Sequence, residues 1–483
     1  MEHDLVVFVP GILGSRLTRD GKDVWHQSKQ AALQLVRPAR AVAGFALPPG
    51  IGDDEPEAPW AVAADELLKG PDAMPGLLAQ FGYPDVRAML GRAPDHHPGG
   101  GLRPEQYLAF TYDWRLSNRL SARRLKAGVE RALARWRERA PDHYPRAHED
   151  APKVVLMCHS MGGLIARHYL ECLGGRDIAR SLVTIGTPHR GAAKAIRFLT
   201  GNGIGPGEDQ GLPQRKALRW AARVNPALAG IARSFPSVAQ LLPVYNAALT
   251  DGAAGWRPLT ATPVPDLPTE LVRDAFAFHQ EFTDAWERNR ATGAPSPYKV
   301  HCLGGRAHPT VHGVVVGADG TLEFPTWLDN SREWTGDGTV PEESAFAKWA
   351  LDELSDAVWS GERHATMAGA ESVGHQLVAI RRGRQARDTL AGDDEFGLVA
   401  PDFAVAGEPF EITVPGMGDA GRTVRARLTR DGQPAGDPVT LTPDGTGDLT
   451  AGLTAPAGTW ILEVEADRPR VVCRDLVTVV AEG

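Results

Sequence analysis

The sequence predicts an α/β fold, a mainly parallel sheet covered by helices on both faces, followed by an all-β unit. Three observations predict it. Short runs rich in Val, Leu and Ile recur at Leu5 to Val9, Tyr107 to Tyr112, Val154 to Cys158, Leu182 to Ile185 and Val300 to Leu303, each of strand length. Segments of helical period separate several of them, such as Ser121 to Ala140 and Gly163 to Leu173, and strands alternating with helices build parallel sheets buried on both sides. From about Ala400 the texture changes to FEITV, VRARLTR, DPVTLTP, GDLTAGL, TWILEVEA and VVCRDLVTVV, alternating segments divided by Gly, Pro and Asp turns. That spacing predicts an immunoglobulin-like β-sandwich.

The expected division is an α/β domain over residues 1–395 and a sandwich over 400–483, linked by AGDDEFGLVAP after the basic run RRGRQAR. Within the first, 192–297 lacks the strand–helix rhythm and is rich in Pro and Gly, which predicts a cap or lid over the sheet. The chain carries 52 Lys and Arg against 60 Asp and Glu, a net charge of −8, and this argues against a nucleic-acid partner. Its start, MEHDLVVFVPG, has neither the basic residues nor the cleavage site of a signal peptide. No apolar stretch approaches the roughly 18–20 residues that cross a membrane. Cys158, Cys172, Cys302 and Cys473 are scattered without a C-x-x-C pair, so reduced thiols in a soluble cytoplasmic protein are expected, with no metal or cofactor.

The strongest chemical signal is KVVLMCHSMGGLIARHYLE, Lys153 to Glu171, where an apolar strand runs into Ser160 and a helix follows at once. A serine on such a strained strand-to-helix turn is a nucleophile elbow of the α/β-hydrolase kind, and the turn demands small residues two before and two after it. Gly162 meets that demand; Cys158 stands where glycine is usual. A helix-capping serine is the plain alternative.

A hydroxyl needs a base to take its proton and donors for the oxyanion that develops. In this fold the acid and then the histidine follow the serine. Asp337 sits between two glycines in WTGDGTVPEES, though a D-G turn alone would explain it. His364 follows a polar stretch, whereas His375 falls on a terminal helix and reads as a packing or surface residue. For the oxyanion, the loop VFVPGILGSRL after the first strand offers the N–H of Leu13, to converge with that of Met161, the residue after the nucleophile.

Together these residues resemble the lecithin:cholesterol acyltransferase family of α/β-hydrolases, which includes phospholipases A and phospholipid acyltransferases. The matching features are VPGILGSRL with Val24 and Trp25, YDWR at Tyr112 to Arg115, HSMGG at His159 to Gly163, GTPHRG at Gly186 to Gly191, FPSVAQLLP at Phe235 to Pro243, and GDGTVP at Gly336 to Pro341. The resemblance spans roughly residues 5–380 and leaves out the sandwich. It implies Ser160, Asp337 and His364 as a triad, the backbone of Leu13 and Met161 as the oxyanion hole, and Trp25 as an aromatic over the substrate.

Two further features stand beside the triad. Tyr112, Asp113, Trp114 and Arg115 read as shaping the acyl pocket, or else Asp113 and Arg115 form a buried support pair. In QRKALRWAARVNPAL, Ala217, Trp220, Ala221, Val224 and Leu228 share a helical face opposite Arg215, Arg219 and Arg223. This is the pattern of a cap helix packed on the core or of a basic amphipathic helix on an anionic membrane, with Trp220 meeting substrate. The expected activity is a serine-dependent lipid-ester hydrolase of phospholipase A type, peripheral at the membrane through its cap. Acyl transfer to an alcohol and hydrolysis of small soluble esters are the alternatives among enzymes. From another class comes a non-catalytic scaffold that binds a protein partner through the sandwich. All four catalytic elements precede Ala400, so the sandwich is expected to stand apart from the chemistry.

Overall fold

In the computed structural model the described residues are 2–25, 45–70, 72–74, 78–80, 82–83, 86–91, 102–203, 225–291, 293, 295–329, 332–333, 335–346, 354–383, 396–418, 421–467 and 470–481. Six strands, β1 (Leu5–Val9), β2 (Tyr107–Ala109), β3 (Val154–His159), β4 (Ala179–Ile185), β5 (Lys299–Gly305) and β6 (Leu354–Ser360), form one sheet in the order β2-β1-β3-β4-β5-β6. Every neighbouring pair is parallel. The chain leaves β1 to one side and returns through β2 to the other, so the order reverses between β1 and β3. In open parallel sheets that reversal opens a crevice at the carboxyl ends of the two strands.

Continuous apolar runs are what a sheet covered twice requires, because alternate side chains enter opposite layers. Leu5, Val7 and Val9 of β1 join one apolar cluster with α1 (Asn118–Arg139) and α2 (Gly162–Cys172). Val6 and Phe8 join another with Met367 of α4 (His364–Met367) and with α5 (Glu371–Arg381). The helix expected from Ser121 begins at Asn118 because Ser117 caps it, its side chain accepting from the Arg119 amide. Between α2 and β5 lies α3 (Thr269–Arg290), which buries Val272, Ala275, Phe278 and Phe282 against the same layer. The last part of the 192–297 span is thus a sheet-covering crossover helix. Further forward in that span, Asn246–Thr250 pairs in parallel with Val314–Val316 in a small separate sheet.

The C-terminal strands are β7 (Phe403–Val405), β8 (Phe410–Val414), β9 (Val424–Arg430), β10 (Leu449–Leu453), β11 (Gly458–Ala466) and β12 (Val471–Val480). One sheet runs β7-β12-β11-β9 and the other pairs β8 with β10. Alternate residues of both, including Ile412, Val414, Leu449, Leu462 and Val477, share one core, as a sandwich requires. The DPVTLTP segment forms only two short strands, Val439–Thr440 and Thr442–Pro443, one in each sheet. Phe403, Val405 and Val480 belong instead to the apolar cluster of the α/β layers, so the β7–β12 edge is built against those layers.

Asp113 and Arg115 take the support role. Their side chains, essentially unexposed, meet at 2.7 Å, and Arg115 also donates to the carbonyls of Phe45 and Trp60. A buried carboxylate left without its partner costs several kcal/mol. Arg115→Met should therefore lower stability by about 3–5 kcal/mol, read from the urea midpoint, and adding Asp113→Asn should recover much of it. A loss below about 1 kcal/mol for the single variant would mean that Asp113 does not depend on this pair.

Candidate active site

Ser160 ends β3 and heads α2 with φ +52°, left-handed backbone that a serine adopts only under constraint. Its N–H donates to the Ile185 carbonyl at 2.8 Å, and its own carbonyl accepts from Thr187 Oγ1 at 2.9 Å. Gly162 is required by close approach: a methyl there would lie 2.5 Å from the Val9 carbonyl oxygen. Cys158 is tolerated because its side chain points into the apolar layer of α1 and α2, where it is fully buried.

His364 and Asp337 meet Ser160 at the carboxyl end of the sheet. His364 Nε2 lies 2.9 Å from Ser160 Oγ, and His364 Nδ1 lies 2.6 Å from Asp337 Oδ2. With Nδ1–H given to the carboxylate, Nε2 faces the serine with its lone pair. Asp337 Oδ1 accepts the amides of Thr339 and Val340 at 2.9 and 2.7 Å, which leaves Oδ2 to the imidazole. Burial works to raise the Asp337 carboxyl, but His364 and those two amides outweigh it and hold it below the usual carboxylate range. The pair rests on the GTPHRG turn, where Gly186, at φ +57°, passes so close that a methyl would lie 3.1 Å from Asp337 Oδ2. His375, by contrast, is exposed on α5 beside Glu371.

The loop after β1 lies against the elbow. Leu13 is buried there with φ +63°, and Met161 stands at the amino end of α2, where helix polarity favours negative charge. Tyr83 and His159 had no role in the sequence reading, yet they tie this loop to the base. The Gly11 N–H donates to Tyr83 Oη at 2.8 Å, Tyr83 donates to His159 Nδ1 at 2.9 Å, and His159 Nε2–H donates to the carbonyl of His364 at 3.2 Å. Burial, with His364 nearby, lowers His159 to about 3, so it stays neutral and keeps this polarity. Tyr83 lies 76 residues from His159, and no local pattern marks it. Trp25 ends the short strand Lys22–Trp25 opposite Leu17, but its side chain, like Trp220 and the three arginines of its stripe, lies outside the described residues. Among the described residues no group of His, Cys, Asp or Glu is arranged to hold a metal ion, and no helix is long and apolar enough to cross a membrane.

A parallel sheet whose reversal point carries a serine elbow defines an α/β-hydrolase. Residues 95–263, about a third of the chain, match the lecithin:cholesterol acyltransferase family, a match that supports an α/β-hydrolase acting on lipid esters by hydrolysis or acyl transfer. No curated protein sequence matches it. Among solved structures it is similar to the Tle4–Tli4 complex, at 15% identity over 78% of this chain and 98% of that one, with a TM-score of 0.46. It is also similar to phospholipase PlaB from Legionella pneumophila, at 10% identity over 99% and 92% of the two chains with a TM-score of 0.34. A third is the Bacillus licheniformis lipase BlEst2 in its propeptide form, at 14% identity over 98% and 73% with a TM-score of 0.28.

Tyr83→Phe removes one hydroxyl and strands the buried Gly11 N–H and His159 Nδ1, a cost of about 1–3 kcal/mol. We expect a lower thermal midpoint and a roughly tenfold lower kcat on a short ester, since a shift of the loop or the base weakens the chemistry steeply. Unchanged kcat in the folded variant would separate this chain of hydrogen bonds from the site.

Proposed function

We propose that the protein is a serine-dependent lipid-ester hydrolase of the phospholipase A kind. The observation that carries this reading is the unbroken file from Ser160 Oγ through the His364 ring to Asp337 Oδ2, with links of 2.9 and 2.6 Å. Ser160 Oγ attacks the ester carbonyl as His364 Nε2 takes its proton, and the oxyanion is held by the N–H groups of Leu13 and Met161. Collapse breaks the ester C–O bond, and His364 returns the proton to the leaving alcohol. Water then attacks the acyl-enzyme by the same steps in reverse, releasing fatty acid and Ser160. An alcohol in place of that water yields acyl transfer. Asp337 stays ionised and steadies the imidazolium that forms twice in the cycle.

The cysteines are thiols rather than disulfides, which supports a cytoplasmic setting, and the Trp220 stripe is proposed to meet lipid peripherally. Trp25 is proposed to cover the acyl chain. A fluorophosphonate should label Ser160, and incubation with a phospholipid extract should release fatty acid detectable by mass spectrometry. Ser160→Ala should cut turnover by roughly 10⁴-fold or more, and Asp337→Asn by roughly 10³–10⁴-fold. His364→Ala should abolish activity while His375→Ala keeps most of it. Wild-type turnover in Ser160→Ala, or the reverse pattern at the two histidines, would overturn the assignment.

The lipid contact has its own test. Changing Trp220 to Ser with Arg215, Arg219 and Arg223 to Gln should depress turnover on anionic vesicles far more than on a short monomeric ester. The wild-type preference for vesicles should fade as salt rises, because each arginine near an anionic surface contributes about 1 kcal/mol that salt screens. Equal losses on both substrates would make the segment a packing element.

A further inference from the structure

We infer that the C-terminal sandwich helps to hold the catalytic histidine: Asp475 on β12 is a positioning residue that fixes His364 through Arg363. This rests on the hydrolase reading of the site, and it reverses the expectation that the sandwich stands apart from the chemistry.

Arg363 immediately precedes His364 and is only 5% exposed, as is Asp475. Burying two charges is costly unless they meet in good geometry, and here Arg363 Nε lies 2.7 Å from Asp475 Oδ2. Asp475 Oδ1 is held in turn by the Leu476 amide at 2.8 Å. The same guanidinium has two more contacts. Its Nη1 donates to the Leu398 carbonyl, in the segment that leads into the sandwich. Its Nη2 lies against the residue after the catalytic acid, where a methyl on Gly338 would sit 2.8 Å away. One planar cation therefore joins β12, the connecting segment, the Asp337 turn and the residue beside the base.

His308 closes the other side of the loop. It donates from Nε2 to the Gly361 carbonyl at 2.7 Å and accepts the Leu398 amide at Nδ1 at 3.2 Å. The loop needs such support, because α4 is only four residues long and so short a helix has no stability of its own. The His364 ring must nonetheless keep its place on Ser160, and displacement by about 1 Å can cost about 10²-fold in rate.

The test uses the full chain, p-nitrophenyl butyrate as a short soluble ester, and the rate of fluorophosphonate labelling at Ser160. Asp475→Asn should lower kcat about 10- to 100-fold with KM within about twofold, and labelling should slow in step. Val424→Ala, which opens a cavity in the sandwich core four residues along β9 from the row that holds Asp475, should lower the thermal midpoint yet keep wild-type kcat below it. Wild-type kcat and labelling in folded Asp475→Asn would overturn the inference, and so would an equal kcat loss in Val424→Ala. Should Asp475→Asn not fold, Arg363→Lys decides: a tenfold or larger loss of kcat at constant KM is expected, and unchanged kcat refutes the brace. Wild-type protein that fails to label at Ser160 would sink the hydrolase reading and this inference together; normal labelling with unaffected variants would sink the brace alone.

Discussion

The left-handed backbone of Ser160 is the constraint on which the rest depends. At φ +52° an L-residue loses roughly 1–2 kcal/mol, and the turn persists only because its neighbours leave no alternative. The Ile185 carbonyl holds the N–H, Thr187 holds the carbonyl, and the end of β1 presses on Gly162. Two of those contacts come from the end of β4 and the third from the end of β1, so the elbow at the end of β3 can form only where β1, β3 and β4 already lie side by side. The six-stranded parallel sheet, buried on both faces, is what supplies that arrangement.

Around the elbow, polarity is arranged so that one nitrogen remains free to take a proton. Asp337 is saturated on one oxygen by two amides and offers the other to His364. His159, kept neutral by burial, spends its Nδ1 on Tyr83 and its Nε2–H on the His364 carbonyl. The backbone and ring of the base are thereby held from different directions, and the loop after β1 is tied into the same chain through the Gly11 N–H. Such a network is worth more than its separate bonds, because each group left unpaired in that interior would carry its full desolvation cost.

What could be read from the sequence was whatever is written locally. Strands such as Leu5–Val9 showed as apolar runs because both faces are buried, and the sandwich strands showed as alternation because only one face is. Ser160, Asp337 and His364 were each visible as a residue in a distinctive turn or in a fixed order along the chain, and the structure brings the three together. The Tyr107 to Tyr112 run overreached: strand pairing stops at Ala109, and the chain turns inward to bury Tyr112, Asp113, Trp114 and Arg115. Helix α3 was hidden inside a span read as a cap, since its apolar stripe is interleaved with Arg, Glu and Asp side chains that pair with other helices, as Asp274 and Glu281 do with Arg119. Tyr83 and His308 lay beyond local reading altogether, their partners being 72 and 90 residues distant.

The same distinction explains how a sandwich that reads as separate in the sequence comes to touch the loop of His364 in the structure. Ser160, Asp337 and His364 were recognised by their chemistry, and all three precede Ala400. Precision, however, is a property of the whole set of contacts that fix a side chain. His364 sits on a helix of one turn, reached by a loop from the edge strand β6, where the sheet offers neighbours on one side only. Asp475, the Leu398 carbonyl and the Leu398 amide, all from beyond residue 395, contact Arg363 and His308 beside it. The appended sandwich is thereby in contact with the loop that carries His364, and a loop that leaves an edge strand must draw its support from whatever lies beyond the sheet.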